Sequence, residues 1–175
     1  MKSVLISIQP KWCELIASGK KTIEVRKTKP KIDVPFKVYI YETKGKKQYF
    51  SQPLPIPYNE GKGKVIGEFV CDEIFPIRVF ENGTIKDYNC HAIDRSCVPY
   101  DDIVNYIGNG CMGCGWHISD LVIYDKPKEL SEFSRHDNSY DNCFGWVFED
   151  RAKSVPITRP PQSWCHVEEL KGGAE

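Results

Sequence analysis

Gly19-Lys20-Lys21-Thr22-Ile23-Glu24-Val25-Arg26 constrains this chain more than any other stretch, because it joins a short helix to a strand through one glycine. Upstream, Pro10 suits the first turn of a helix, Trp12, Leu15 and Ile16 recur at helical spacing, and Gly19 marks the end. Downstream, strand side chains alternate between two faces, so Thr22, Glu24 and Arg26 point one way while Ile23 and Val25 enter a core. A polar row held by an apolar one is either a scaffolded site or a solvated surface pair of little energetic weight.

The spacing Gly-x-Lys-x-x-Glu-x-Arg resembles the signature of ASCH domains, small members of the PUA-like β-barrel superfamily. Ser7-Ile8-Gln9-Pro10-Lys11-Trp12 before it, Gly115-Trp116-His117-Ile118-Ser119-Asp120-Leu121 in the middle and Pro161-Gln162-Ser163-Trp164-Cys165-His166-Val167 near the end are similar to landmarks of a bacterial and prophage-type ASCH subfamily. The likeness is weakest over residues 44–63 and 134–158. It implies one domain over residues 1–175, with residues 45–63 and 134–158 as loop insertions. Family resemblance names a fold before it names a reaction.

Periodicity along the chain agrees with that architecture. Ser3 to Gln9 and Phe36 to Glu42 read as strands, the second rich in aromatic and β-branched residues. Gly45 to Gly63 carries Pro53, Pro55 and Pro57 and reads as a long loop. Lys64 to Pro76 is a strand, and Arg78 to Phe80 with Thr84 to Lys86 makes a hairpin about Asn82-Gly83, a turn that also fits a glycosylation sequon with Thr84. Tyr100 to Ile107 reads as a second short helix with Asp101 and Asp102 in its first turn and Gly108 at its end. Trp116 to Tyr124 reads as a buried strand and Ser163 to Leu170 as a closing one. The expected class is α+β: a PUA-like curved β-barrel of five or six strands with two or more short helices.

Charge narrows the partners. The chain is formally neutral, yet residues 1–64 hold 14 Lys/Arg against 5 Asp/Glu and the remainder 10 against 19. A basic end attracts phosphates if the acidic end lies on another face; otherwise the two neutralise each other across the fold. Eight cysteines would fit a secreted disulfide scaffold, but the apolar run Val4 to Ile8 is too short for a signal and is followed by Gln9, Pro10 and Lys11. Reduced thiols and a cytoplasmic location are expected. No run approaches the ~20 apolar residues that span a bilayer, so no membrane partner is expected.

ASCH proteins resemble small amidohydrolases that remove the acyl group from N4-acetylcytidine, using a Lys and a Thr of this motif with a distant Glu. Lys21 stands at the lysine position, while Glu24 occupies the threonine position and departs from that chemistry. Beside a cation and desolvated, Lys21 acts as a base; facing solvent, it binds phosphate. Glu68 is a second acid in a strand.

Trp12, Trp116, His117, Ser163 and Trp164 are the candidates for a base-binding pocket, since aromatics stack bases and imidazole moves protons. The competing reading has the tryptophans as core filling and His117 as structural. Cys90, Cys97, Cys111 and Cys114 offer four thiols, but their spacing is poor for zinc, and neither metal nor cofactor is expected. The resulting expectation is a protein that binds RNA or a modified nucleoside. Lys11, Lys21 and Arg26 hold phosphate or base edges, Trp12 and Trp116 stack, and Glu24 accepts from an exocyclic amine. Lys27, Lys29, Lys44, Lys46 and Lys47 add a diffuse field. The alternatives are an amidohydrolase with Lys21 and Glu24 at the reacting centre, and a protein-interaction module.

Overall fold

A computed structural model describes residues 3–45, 61–88, 91–137 and 153–170. It opens with strand β1 (Ser3–Ile8), helix α1 (Pro10–Ala17), β2 (Ile23–Arg26) and β3 (Phe36–Glu42). After residues 46–60, which hold most of the expected long loop and lie outside the described residues, come β4 (Val65–Cys71), β5 (Ile74–Val79) and β6 (Ile85–Asp87). Helices α2 (Ala92–Ser96) and α3 (Tyr100–Ile107) precede β7 (Met112–His117) and β8 (Ser119–Lys128). A 3-10 turn at Leu130–Glu132 leads to β9 (Ser134–Asp137), β10 (Lys153–Pro156) and β11 (Trp164–Val167).

The strands form a five-stranded sheet in the order β11-β1-β3-β4-β8, a four-stranded sheet β2-β7-β5-β6, and the pair β10-β9. The class is α+β, but the described ladders do not close into a barrel, and the described residues hold eleven strands in place of the expected five or six. Two expected strands are each broken at a corner. Lys64 to Pro76 splits at Asp72-Glu73, and Trp116 to Tyr124 splits at Ile118, so that each half joins a different sheet. β8 is also an edge strand with Val122 50% and Ile123 40% exposed, not the buried strand expected, because among the described residues it pairs only with β4. Residues 134–158, expected as loop, carry paired strands at both ends, with Ser154 opposite His136.

The two larger sheets enclose the main core, built from Val4, Ile6 and Ile8 of β1, Phe36, Val38 and Ile40 of β3, Phe69 and Cys71 of β4, and Trp116 of β7. Cys13 and Ile16 of α1 cap it. β1 is buried along its whole length because both of its faces are covered: Leu5 packs on a second core with Tyr39, Phe133 and Val167. A strand hidden on two faces is apolar without strict alternation. Tight turns fix the hairpin: Gly83 has φ +78°, a conformation that costs a residue with a Cβ, and the register Arg78 opposite Lys86 follows.

Candidate functional site

α1 and β2 meet at Gly19, whose φ of +72° turns the chain back beside the helix. Lys21 follows at once, 1% exposed, and its Nζ donates to the carbonyls of Ile23 at 2.8 Å and Ser96 at 2.6 Å. Glu24 Oε2 lies 3.2 Å from the same nitrogen. The two carbonyls take two of the ammonium's three protons, and the carboxylate pairs with its charge. Ser96 arrives from 75 residues away because α2 packs on β2, with the Thr22 amide donating to the Arg95 carbonyl at 3.0 Å and Arg95 Nε to Thr22 Oγ1 at 3.0 Å. The carbonyl end of a helix favours a cation.

Glu24 Oε1 faces Arg26 at 3.0 Å, and the same guanidinium nitrogen donates to the Ser7 carbonyl of β1 at 2.7 Å. Lys21, Glu24 and Arg26 are therefore one enclosed ion cluster, which excludes a solvated surface pair: Glu24 is 6% and Arg26 7% exposed. Alternation along β2 holds, but both of its faces are covered. Glu24 and Arg26 share the face of their partners Trp116 and Cys114, toward the main core, while Val25 packs with Ile77 and Ile103 and Ile23 with Phe75 and Ala92. Among the described residues, Arg26 Nε and Glu24 Oε2 are buried without a hydrogen-bond partner. The approach of Lys21 to Oε2 is therefore an ion pair and not an aligned hydrogen bond.

The aromatic candidates divide. Trp12 is half-buried, with Lys11 Nζ 4.2 Å and Lys21 Nζ 5.3 Å from its ring centre. Trp164 is half-buried on β11, donates its indole N–H to Thr28 Oγ1 at 3.1 Å, and lies 6.2 Å from Trp116. Trp116 is fully enclosed, edge-on to Phe36 at 5.6 Å, so it offers no open ring for stacking. Ser163 holds the site's edge through its carbonyl, which accepts from the Ser7 amide at 2.9 Å. His117 stands apart: it pairs with Ile23 on the opposite face of the sheet and contacts Asp72 through Nδ1 at 2.6 Å. Glu68 also stands apart, since it pairs with Tyr39 on the far side of the five-stranded sheet, bound by Lys37 at 3.0 Å and by the Tyr124 hydroxyl.

Two residues at the site, Glu42 and Ser96, escaped the sequence reading. Glu42 is 4% exposed and accepts from the Lys62 amide at 2.7 Å. Its inward position follows from the alternation Phe36, Val38, Ile40, Glu42, a signal present in the sequence. Cys13 is buried: burial pushes its thiol up, and the carboxylates of Glu42 and Glu24 push the same way. Ser96, by contrast, left no local signal, because a helix as short as Ala92–Ser96 shows no periodicity.

The cysteines raised as zinc ligands go to separate places. Cys97 Sγ donates to the Lys20 carbonyl at 3.4 Å, Cys114 takes the Trp116 indole N–H at 3.4 Å, Cys111 is exposed, and Cys90 lies outside the described residues. Among the described residues no group of three His, Cys, Asp or Glu side chains could hold a metal ion, and no helix is long and apolar enough to cross a membrane.

Solved structures share this fold. An ASCH protein from Zymomonas mobilis aligns with a TM-score of 0.56 at 19% identity, covering 94% of this chain and 86% of its own. A Tyr-to-Phe mutant of that protein gives 0.56 at 18% identity over 94% and 89%, and a Ser-to-Ala mutant gives 0.55 at 18% over 94% and 87%. At such identity the likeness is one of fold. No curated protein matches. The family model described as ASCH domain matches residues 6–102, a span from β1 to the start of α3 that contains the whole ion cluster and Ser96. The match takes in more than half of the 175 residues, and the chain belongs to the ASCH domain family.

Proposed function

We propose that this ASCH domain protein binds RNA or a modified nucleoside, with one base held between α1, β2 and β11. The observation that carries the reading is the enclosed cluster in which Glu24 Oε2 and Arg26 Nε lack hydrogen-bond partners among the described residues. A buried polar group without a partner costs roughly 1–3 kcal/mol, and a ligand edge offering a donor beside an acceptor removes that cost. Nucleobases carry such edges on flat rings, which an indole stacks. Trp12 and Trp164 are the half-open rings at hand, and Lys11 stands over the first.

Within this reading Lys21 is a positioning residue. Its ammonium protons face two carbonyls and Glu24, so it orients the carboxylate and leaves phosphate contact to Lys11. Its burial and its commitment to two backbone carbonyls and a carboxylate disfavour the amidohydrolase alternative, in which Lys21 would polarise a substrate carbonyl.

Titrating the pure protein with cytidine, N4-acetylcytidine, adenosine, guanosine and uridine by calorimetry, while assaying for free acetate, tests the proposal. Saturable binding of at least one nucleoside is expected, weakened about tenfold or more by Trp12→Ala, since base stacking is worth about 1–3 kcal/mol. Acetate release abolished by Glu24→Gln would replace the binding reading with hydrolysis. Affinities unaltered by Trp12→Ala would remove the cleft.

A further inference from the structure

The four-stranded sheet presents three rows of side chains on the face that carries the ion cluster, and the ladder registers define them. Glu24, Trp116 and Ile74 form the first row, Arg26, Cys114 and Pro76 the second, and Met112, Arg78 and Lys86 the third. The core between the sheets covers Glu24, Trp116, Arg26 and Cys114. The third row stands in solvent, with Met112 51% exposed and both cations exposed.

Each cation of that row lies over the aromatic ring two residues further along its strand. Arg78 is 5.0 Å from the centre of Phe80 and Lys86 is 4.8 Å from the centre of Tyr88, and these rings are themselves 37% and 51% exposed. Neither cation joins an ion pair among the described residues. Glu24 is the only carboxylate on the three rows, and it is already held by Lys21 and Arg26.

We propose that Arg78, Phe80, Lys86, Tyr88 and Met112 form a platform for single-stranded nucleic acid, so that the base in the cleft belongs to a strand and not to a free nucleoside. This rests on the cleft reading above. Rows two residues apart on a strand are separated by roughly 6.6 Å and neighbouring strands by about 4.8 Å, which sets Arg78 about 16 Å and Lys86 about 20 Å from Glu24 on the same sheet face. Those distances lie within the span of about four nucleotides, the footprint of the smaller single-strand platforms. Unpaired cations meet phosphates and open rings meet bases, whereas an acidic peptide has no use for the rings.

Fluorescence anisotropy with a labelled pool of random 12-nucleotide RNAs separates the platform from the cleft. The double variant Arg78→Ala/Lys86→Ala is expected to bind the RNA about tenfold more weakly, with a salt slope shallower by about 1.4, at roughly 0.7 for each phosphate no longer neutralised. Its affinity for a single nucleoside stays that of the wild type. Phe80→Ala/Tyr88→Ala is expected to weaken RNA binding with little change in slope, and Trp12→Ala to weaken RNA and nucleoside alike. Wild-type RNA affinity and slope in Arg78→Ala/Lys86→Ala would overturn the platform and leave the cleft standing. Weaker binding by that variant with Trp12→Ala unaffected would keep the platform and remove the cleft. Displacement of the RNA by polyglutamate as readily as by unlabelled RNA would overturn recognition of nucleic acid.

Discussion

Lys21 makes a heavy demand on its surroundings, since its charge is fully enclosed and its partners come from β2 and from the end of α2. Removing one member of a buried ionic cluster leaves the others uncompensated and costs about 3–5 kcal/mol. Lys21→Ala should lose that much stability in urea unfolding, whereas Lys11→Ala, at an exposed position, should stay within about 0.5 kcal/mol. A cost below about 1 kcal/mol for Lys21→Ala would mean that the cluster does not hold β2 to α2. The lysine and its two charged companions were legible as a row on one strand face. The carbonyl of Ser96 was not, because contact between residues 75 apart leaves no mark in local spacing.

At the scale of elements, the long edge strand β8 depends on one glycine of its neighbour. A Cβ at Gly67 would sit 2.4 Å from the Val122 carbonyl oxygen, and the obstacle is backbone, which cannot swing aside like a side chain. The ladder already slips on either side of Gly67, where Val65 opposes Lys128 but Glu68 opposes Val122. Gly67→Ala should therefore cost about 1–3 kcal/mol, read from the urea midpoint, and speed amide exchange along β8 before the β1–β3 ladder. Unchanged protection at β8 would show that the strand moves outward at no cost. α1, β1, β3, α3 and the hairpin between β5 and β6 match their sequence readings closely, since apolar period, helix-ending glycines and Asn-Gly turns are local signals.

For the whole molecule, the corner where the sheets exchange strands decides the shape. Asp72-Glu73 carries β4 into β5 and Ile118 carries β7 into β8, and these two crossings are tied together. His117 Nδ1 meets Asp72 at 2.6 Å, the His117 amide donates to the Glu73 carbonyl at 2.9 Å, and Ser119 Oγ donates to the Val70 carbonyl at 2.8 Å. Burial by itself would raise the Asp72 carboxyl, but its hydrogen bonds, that with His117 foremost, hold it below its ordinary 3.8. A carboxyl lowered by folding stabilises the folded state above 3.8 and loses that contribution as pH falls through its folded value. The stability gap between wild type and Asp72→Asn should thus be full near pH 6 and close below pH 3.8, measured by urea unfolding across that range. A gap that persists below that range would assign the effect to packing. The sequence by itself determined α1, β1, β3, α3 and the β5–β6 hairpin, the polar row on β2 and the membership suggested by its motif, because period, turn chemistry and residue spacing act over a few neighbours. Only the tertiary structure decided that the row is enclosed, that Glu42 and Trp164 lie near it, and that His117 and Glu68 do not. Alternation states that a strand has two faces, but what covers each face comes from chain segments far away.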